Sequence, residues 1–438
     1  MQQQQEQRRS ENTQQRVQTT SKNKLGVVSK ALTKPKRVNV LDRWLLRRMS
    51  ALVGHPPFIA SLWDGVEYMH QTELPAVAHV KFKDRGAMYW FLIDPELHFG
   101  DLYSTGRLEV EGDLLKFLEV AYKSLAVSLA DNMFSKMVKT WVNRRPKANS
   151  LHASRHNIHH HYDLSNKFYE LWLDKAATQY TCAYFPDPNM SLEEAQIAKL
   201  HHVCRKLQLK PGDSVVEAGC GWGGLSRFMA KNYGVTVKAY NISHEQIVYA
   251  RSRALQEGLS DKVEYIEDDY RNIQGEYDVF VSVGMLEHIG NRGYSALGEV
   301  VDRCLKPDGR GLVHSIGRNF PGPMNAWIEK RIFPGAYPPS IKEMMDIFEP
   351  FNFSVQDVEN LRLHYSRTLE HWRQRFEDNL DIIREDFDET FIRAWRLYLV
   401  GSLAAFNNSD LQLFQIVFTR ATHNELPWSR AHLYSPAD

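Results

Sequence analysis

Cysteine is scarce in this sequence, long apolar runs are missing, and the charges almost cancel. Four cysteines, Cys182, Cys204, Cys220 and Cys304, stand among 438 residues without CxxC spacing. Neither a disulfide framework nor a thiolate metal site is encoded, and free thiols in a reducing compartment are expected. No apolar segment of secretory type follows Met1. The longest apolar stretch near the other end, Leu397 to Phe406, is about ten residues including a glycine and a serine, against about 20 needed to span a bilayer. The net charge of +1 argues against a protein that coats nucleic acid. That sum hides a division. Residues 1 to 50 hold twelve Lys/Arg against Glu6, Glu11 and Asp42, about +9, which leaves 42 basic against 50 acidic side chains in the rest, about −8.

What is present is a conventional globular composition, 43% hydrophobic, with enough chain for two to four domains. Residues 1–36 are rich in Gln, Ser, Thr, Asn, Lys and Arg without an apolar period, and read as a disordered basic tail. Residues 37–142 read as a small α+β domain suited to lipid contact. In it, Leu41, Trp44, Leu45 and Met49 share one helical face flanked by arginines, which suits either packing on the domain or contact with anionic headgroups. Val77 to Phe82 and Ala87 to Leu92 read as β-like runs, Gly106 to Asp113 as a strand and turn, and Leu114 to about Val142 as a helix. Residues 143–156, polar and containing Pro146, form a linker. Residues 157–438 form the main body. From about residue 195 strand and helix alternate, the pattern of a parallel sheet covered on both faces: strands at Val215–Ala218, Val235–Tyr240, Tyr277–Val283 and Gly311–Ile316, helices at Leu225–Tyr233 and His244–Glu257. Beyond Phe320 helices prevail, ending in Leu411–Phe418 as a late edge strand.

Glu217-Ala218-Gly219-Cys220-Gly221-Trp222-Gly223-Gly224 lies between a strand and a helix, where glycines admit a ligand to the backbone. A dinucleotide site would carry an acid at the end of the second strand for the ribose. That strand ends instead in Ala239-Tyr240-Asn241. A carboxylate two residues before the first glycine suits the E/DxGxGxG loop of methyltransferases that bind S-adenosylmethionine.

Further motifs follow in order: Ser243-His244-Glu245-Gln246, Ser282 to Gly290 with Glu287 and His288, and His314-Ser315-Ile316-Gly317. His160-His161-Tyr162-Asp163 and Tyr180-Thr181-Cys182-Ala183-Tyr184-Phe185 lie upstream. Ile332-Phe333-Pro334-Gly335, His364-Tyr365, Thr368-Leu369, Trp372 and Arg375-Phe376 lie downstream. Together they resemble the cyclopropane-fatty-acyl-phospholipid synthase family over about residues 157 to 425, and over Gly106 to Leu115 in the small domain. Thr181 stands where that family usually has Ser, and the first strand reads Val-Glu-Ala rather than Leu-Asp/Glu-Ile. The resemblance implies a class I methyltransferase, a Rossmann-like mixed seven-stranded sheet with helices on both faces, preceded by a small α+β domain.

It also implies a reaction. A methylene group passes from S-adenosylmethionine to the cis double bond of an unsaturated phospholipid acyl chain, through a cation that a bound bicarbonate deprotonates. The residues implied for the anion are Cys182 and Ile316 through their backbone amides, with Glu287, His314 and Tyr365 through their side chains. Singly, Cys182 could be a buried small hydrophobe and His314 a satisfied core histidine. Cofactor contacts are implied at Tyr180, Thr181, Glu217, Gly219, Gly221, Asn241, Gln246, Asp269 and Tyr270. His152, His156, His159, His160 and His161 lack a carboxylate or cysteine set at ligand spacing, so no metal is expected. The implied partner is the membrane surface and its acyl chains, with no nucleic acid; the implied location is cytoplasmic, on the inner face of the membrane, and a homodimer is possible. Alternatives are a methyl- or methylene-branched product, methylation of another lipid or an amine, and an inactive lipid-binding protein.

Overall fold

Short polar caps decide where several helices of this chain begin. The structure is a computed structural model that describes residues 37–52, 56–69, 75–130 and 164–434. The expected tail over 1–36, the linker over 143–156, the histidine cluster His152–His161, and Tyr162 with Asp163 lie outside the described residues. The chain divides into two compact units. One gathers Met1–Lys136, Asn325–Ile332 and Arg373–Ala404; the other holds Met137–Met324, Phe333–Trp372 and Ala405–Asp438.

The first unit contains a four-stranded sheet in the order β2-β1-β3-β4, from β1 (Phe58–Ser61), β2 (Glu67–Met69), β3 (Ala78–Phe82) and β4 (Leu108–Gly112). Leu46, Leu62, Phe82, Ala87, Met88, Leu102 and Leu108 form its core. The expected strand at Ala87–Leu92 is a helix, Arg85–Ile93. Asp84 explains the difference: its carboxylate accepts from Ala87 N–H at 2.9 Å and caps the first turn. Consecutive Ala87 and Met88 are then buried while Trp90 is exposed, which no alternating strand would do. Asp94 caps the following helix, Pro95–Ser104, in the same way. The helix Val40–Leu52 forms as its periodicity suggests, but its apolar face is divided. Leu46 and Asp42 are buried, Leu45 and Met49 pack on the core, and Val40, Leu41 and Trp44 remain exposed beside Arg43, Arg47 and Arg48.

Residues distant in sequence complete this unit through charge. Arg331 donates to both oxygens of Asp101 at 2.9 and 2.7 Å, and Trp327 Nε1 adds a bond to Oδ1 at 3.1 Å. Trp327 fits because position 100 is glycine; a Cβ there would stand 2.4 Å from the indole. Arg393 donates to Tyr103 O at 2.6 Å and to Glu109 at 3.1 Å.

The second unit is built on a seven-stranded sheet in the order β10-β11-β9-β8-β5-β6-β7. The strands are β5 (Ser214–Ala218), β6 (Thr236–Asn241), β7 (Val263–Glu267), β8 (Tyr277–Val283), β9 (Leu305–Gly317), β10 (Phe353–Asn360) and β11 (Gln412–Arg420). β5 to β9 pair in parallel, and β11 runs antiparallel between β9 and β10. The sheet is therefore mixed, with helices on both faces. Leu411–Phe418 does not form an edge. All its positions from Gln412 to Thr419 are buried, as befits a strand paired on both sides, and the edge is β10, whose half-polar sequence FSVQDVEN gave no apolar run to read. Cores on the two faces include Val215, Leu225 and Val281 on one side and Val216, Phe280 and Leu297 on the other. β5 begins the unit in mid-sheet, with β6 on one side and β8 on the other. That arrangement opens a crevice beyond the carboxyl ends of the strands, where such sheets take ligands.

Candidate functional site

Beyond β5 the chain turns sharply through the glycine loop. Gly219 N–H and Cys220 N–H both donate to Tyr240 O, at 2.9 and 3.1 Å, fastening the loop to β6. Gly219 adopts φ +84°, and a Cβ there would lie 2.9 Å from Met285. Gly221, at φ +53°, has open space where a side chain would project, so its backbone is left accessible to a ligand. Asn241, the last residue of β6, donates from Nδ2 to Gln246 Oε1 at 2.7 Å and to Gly221 O at 3.2 Å. Glu217, Gly219, Gly221, Asn241 and Gln246 thus converge around one loop. Glu217 accepts from Ser226 Oγ; burial raises its carboxyl to about 7, against the pull of that hydroxyl, Lys199 and Arg227. Asp269 and Tyr270 follow β7. Asp269 spends both oxygens on Arg271, at 2.7 and 2.9 Å, and Arg271 lies over the Tyr270 ring.

A second group surrounds the ends of β8 and β9. Glu287, buried just past β8, accepts from Ile316 N–H at 2.6 Å through Oε1, whereas Oε2 has no partner among the described residues. Burial raises its carboxyl to about 7, against the pull of its own backbone N–H, the Ile316 N–H and the Ser315 hydroxyl nearby. His314 is buried in β9, its Nδ1 3.0 Å from Gln415 Nε2 on β11. Burial first, then Lys199 and Lys206, hold this imidazole well below its usual range, so it is neutral at physiological pH. Tyr365 is buried against Phe406 and Trp372, and Trp372 also packs against Tyr180 at 5.3 Å between ring centres.

The segment Tyr180–Cys182 joins the two groups. Thr181 O accepts from Gln196 Nε2 at 2.9 Å, and Thr181 Oγ1 accepts from Lys199 Nζ at 3.1 Å. Its methyl lies 3.0 Å from where a Cβ on Gly284 would stand, three residues before Glu287. Burial drives the Cys182 thiol far above its normal range and its sulfur donates to Ala183 O, so the side chain is no nucleophile. Any contribution from Cys182 to chemistry lies in its backbone. Among the described residues no group of three His, Cys, Asp or Glu side chains is arranged to hold a metal.

Two residues that sequence reasoning passed over belong to this neighbourhood. Lys199 is fully buried, donates also to Gln179 Oε1, and is lowered to about 8 by burial. A signal for it existed: Gln196, Lys199, His202 and Lys206 occupy core positions of the helix Leu192–Lys206, an unusual polar row on a buried face. Gln415 carried no local signal, being 101 residues from its histidine.

The ends of β8 and β9 thus bring a buried carboxyl and a neutral imidazole into one apolar neighbourhood. The glycine loop offers accessible backbone at a helix N-terminus, the setting in which this class of sheet binds its nucleoside cofactor.

Comparison with known proteins gives the family. A family model described as "Mycolic acid cyclopropane synthetase" matches residues 149–416. A "Probable fatty acid methyltransferase" of Pseudomonas putida is 34% identical over 395 residues, covering 87% of this chain and 97% of that protein. The "Cyclopropane-fatty-acyl-phospholipid synthase" of Escherichia coli K12 is 42% identical over 271 residues, 62% of this chain and 69% of that one. Among solved structures, mycolic acid cyclopropane synthase CmaA1 complexed with SAH and CTAB superimposes with a TM-score of 0.58 at 29% identity, covering 61% of this chain and 98% of the other.

Proposed function

The chain belongs to the mycolic acid cyclopropane synthetase family of S-adenosylmethionine-dependent methyltransferases, and from that membership we propose that it cyclopropanates cis double bonds in the acyl chains of membrane phospholipids. The observation that carries this reading is Glu287: a buried carboxylate with one oxygen held by Ile316 N–H and the other open, beside a neutral histidine. Simple methyl transfer to an amine would need no such place for an anion.

Bound at the loop, S-adenosylmethionine would supply an electrophilic methyl group, and bicarbonate held beside Glu287 would supply a base. Gly219 and Gly221 provide the close approach, and Asn241 with Gln246 stiffens the rim of the loop. Thr181, fixed by Lys199 and Gln196, keeps Tyr180 and the Cys182 amide in place. Glu287 would accept the anion's own proton while the Cys182 amide, His314 and Tyr365 hold its oxygens, and the Ile316 N–H, which donates to Glu287 Oε1, would share its proton between the carboxylate and the anion. The cation formed on the acyl chain would meet aromatic faces at Tyr180, Tyr365 and Trp372, which favour positive charge and exclude water.

Among the described residues no helix is long and apolar enough to cross a membrane. The reading therefore includes reversible attachment through the exposed Val40, Leu41 and Trp44 with the neighbouring arginines, at about 1 kcal/mol per basic residue close to an anionic surface.

The test uses methyl-labelled cofactor and unsaturated phospholipid vesicles. Label should enter an acyl chain with a mass gain of about 14, and its complete absence from lipid would refute the reading. The Pseudomonas putida relative, named as a fatty acid methyltransferase, favours a second reading in which the same cation loses another proton and leaves a branched chain. Proton NMR separates them, because cyclopropane methylene protons resonate upfield of other acyl signals.

A further inference from the structure

His314 and Gln415 are directly opposed across the antiparallel pair of β9 and β11. Both side chains are almost wholly buried, so water cannot substitute for the contact between them. The contact joins Gln415 Nε2 to His314 Nδ1 at 3.0 Å. With the amide in this orientation its nitrogen donates, and Nδ1 presents its lone pair. A neutral imidazole has a single ring proton, and with Nδ1 accepting, that proton sits on Nε2.

We propose that Gln415 is a positioning residue that fixes the tautomer of His314, keeping the proton on Nε2 so that the imidazole faces the site as a hydrogen-bond donor. The proposal rests on the reading of the site as an anion holder. The tautomer matters because a neutral histidine with its proton on Nδ1 would turn a lone pair toward the anion and repel it. Burial keeps the ring from solving the problem by taking a second proton. The same amide orientation leaves Gln415 Oε1 without a partner among the described residues. A buried amide would normally avoid that loss, and turning it over would simply exchange which atom meets the ring. Presenting Nε2 to Nδ1 is therefore the choice that serves the anion.

The tautomer can be read in the unaltered protein by long-range proton–nitrogen correlation of ¹⁵N-histidine-labelled enzyme, the His314 signal being the one lost in His314→Asn. The expected spectrum has a protonated Nε2 and an unprotonated Nδ1; the reverse pattern overturns the proposal. In Gln415→Glu a carboxylate replaces the donor, and the pattern should invert. Gln415→Leu should raise the bicarbonate concentration for half-maximal activity roughly tenfold or more, the loss of one oriented bond to a charged group. Its affinity for S-adenosylmethionine by calorimetry should stay unchanged. A purely structural role would weaken both and would leave the glutamate variant without an inverted spectrum. Wild-type activity independent of bicarbonate in carbonate-free buffer would overturn the anion reading, while the spectrum would still decide the tautomer.

Discussion

Two carboxylates of the second unit, Glu287 and Glu217, are held quite differently from those that brace the first. In the first, Asp42, Asp84 and Asp101 are each gripped through both oxygens by one arginine, Arg85, Arg107 and Arg331 respectively. Every lone pair that matters is answered by a planar fork of donors, and the groups are inert. In the second, Glu287 has one oxygen answered by the Ile316 amide while the other has no partner at bonding distance among the described residues, and Glu217 leans on a serine hydroxyl. Carboxylates left so poorly matched cost stability, and a fold keeps them where a ligand completes the set. The second unit also holds a carboxylate in the first manner, Asp269 on Arg271, so the contrast singles out Glu287 and Glu217 rather than the unit as a whole.

The sharpest way to break the contrast is Glu287→Gln. If the open oxygen is functional, turnover should fall by about 10²–10⁴-fold, with cofactor affinity by calorimetry nearly unchanged and thermal stability unaltered or higher. Full activity in this variant would place Glu287 with the inert carboxylates. The opposite operation, Asp101→Ala, leaves Arg331 and Trp327 Nε1 facing a gap. A loss of roughly 3 kcal/mol in denaturant unfolding is expected, without a specific effect on cofactor binding once the protein is folded.

The pH dependence supplies a third test. Burial raises the Glu287 carboxyl to about 7 from an ordinary value of 4.5. The folded protein therefore binds more protons than the unfolded chain between those values, and stability falls as pH rises through the window. Activity, which needs the carboxylate ionised, should rise through pH about 7. Glu287→Gln should flatten the stability slope, which urea titrations at pH 5 and pH 8 would measure; an unchanged slope would assign it elsewhere. The smallest effect concerns the surface. Trp44→Ser with Leu41→Ser should weaken binding to anionic vesicles a few-fold at low and at high salt alike, since the arginines remain, without changing turnover on detergent-dispersed lipid. Vesicle flotation at two salt concentrations decides it.

Much of the second unit was legible in the sequence because parallel strands buried on both faces write continuous apolar runs, as Tyr277–Val283 does. The glycine loop declared itself through its spacing. Three elements were less readable for physical reasons. Ala87–Leu92 has strand-like composition, and a single capping aspartate outweighs it. β10 alternates because it is an edge, and β11 is as apolar as an edge strand packed on one face while being paired on both. For the site, resemblance named Glu287 and Ile316, but their direct bond is a product of the fold. Gln415 meets its histidine from 101 residues away, and Lys199 meets Gln179 and Thr181 in a segment without regular structure; only the polar row on the Leu192–Lys206 helix betrayed Lys199.

Arg393 reaches back to Tyr103 across 290 residues, and that separation has a meaning in time. At about 5–20 residues per second of synthesis, roughly 15–60 s pass between the emergence of Tyr103 and that of the arginine it awaits. For most of that interval Asp101 lacks Arg331, and the last stretch of the N-terminal unit, Arg373–Ala404, is missing until its end. Because β11, which pairs between β9 and β10 in the second unit, is made later still, neither unit can be completed until nearly all of the residues have emerged, and both wait on the C-terminal stretches.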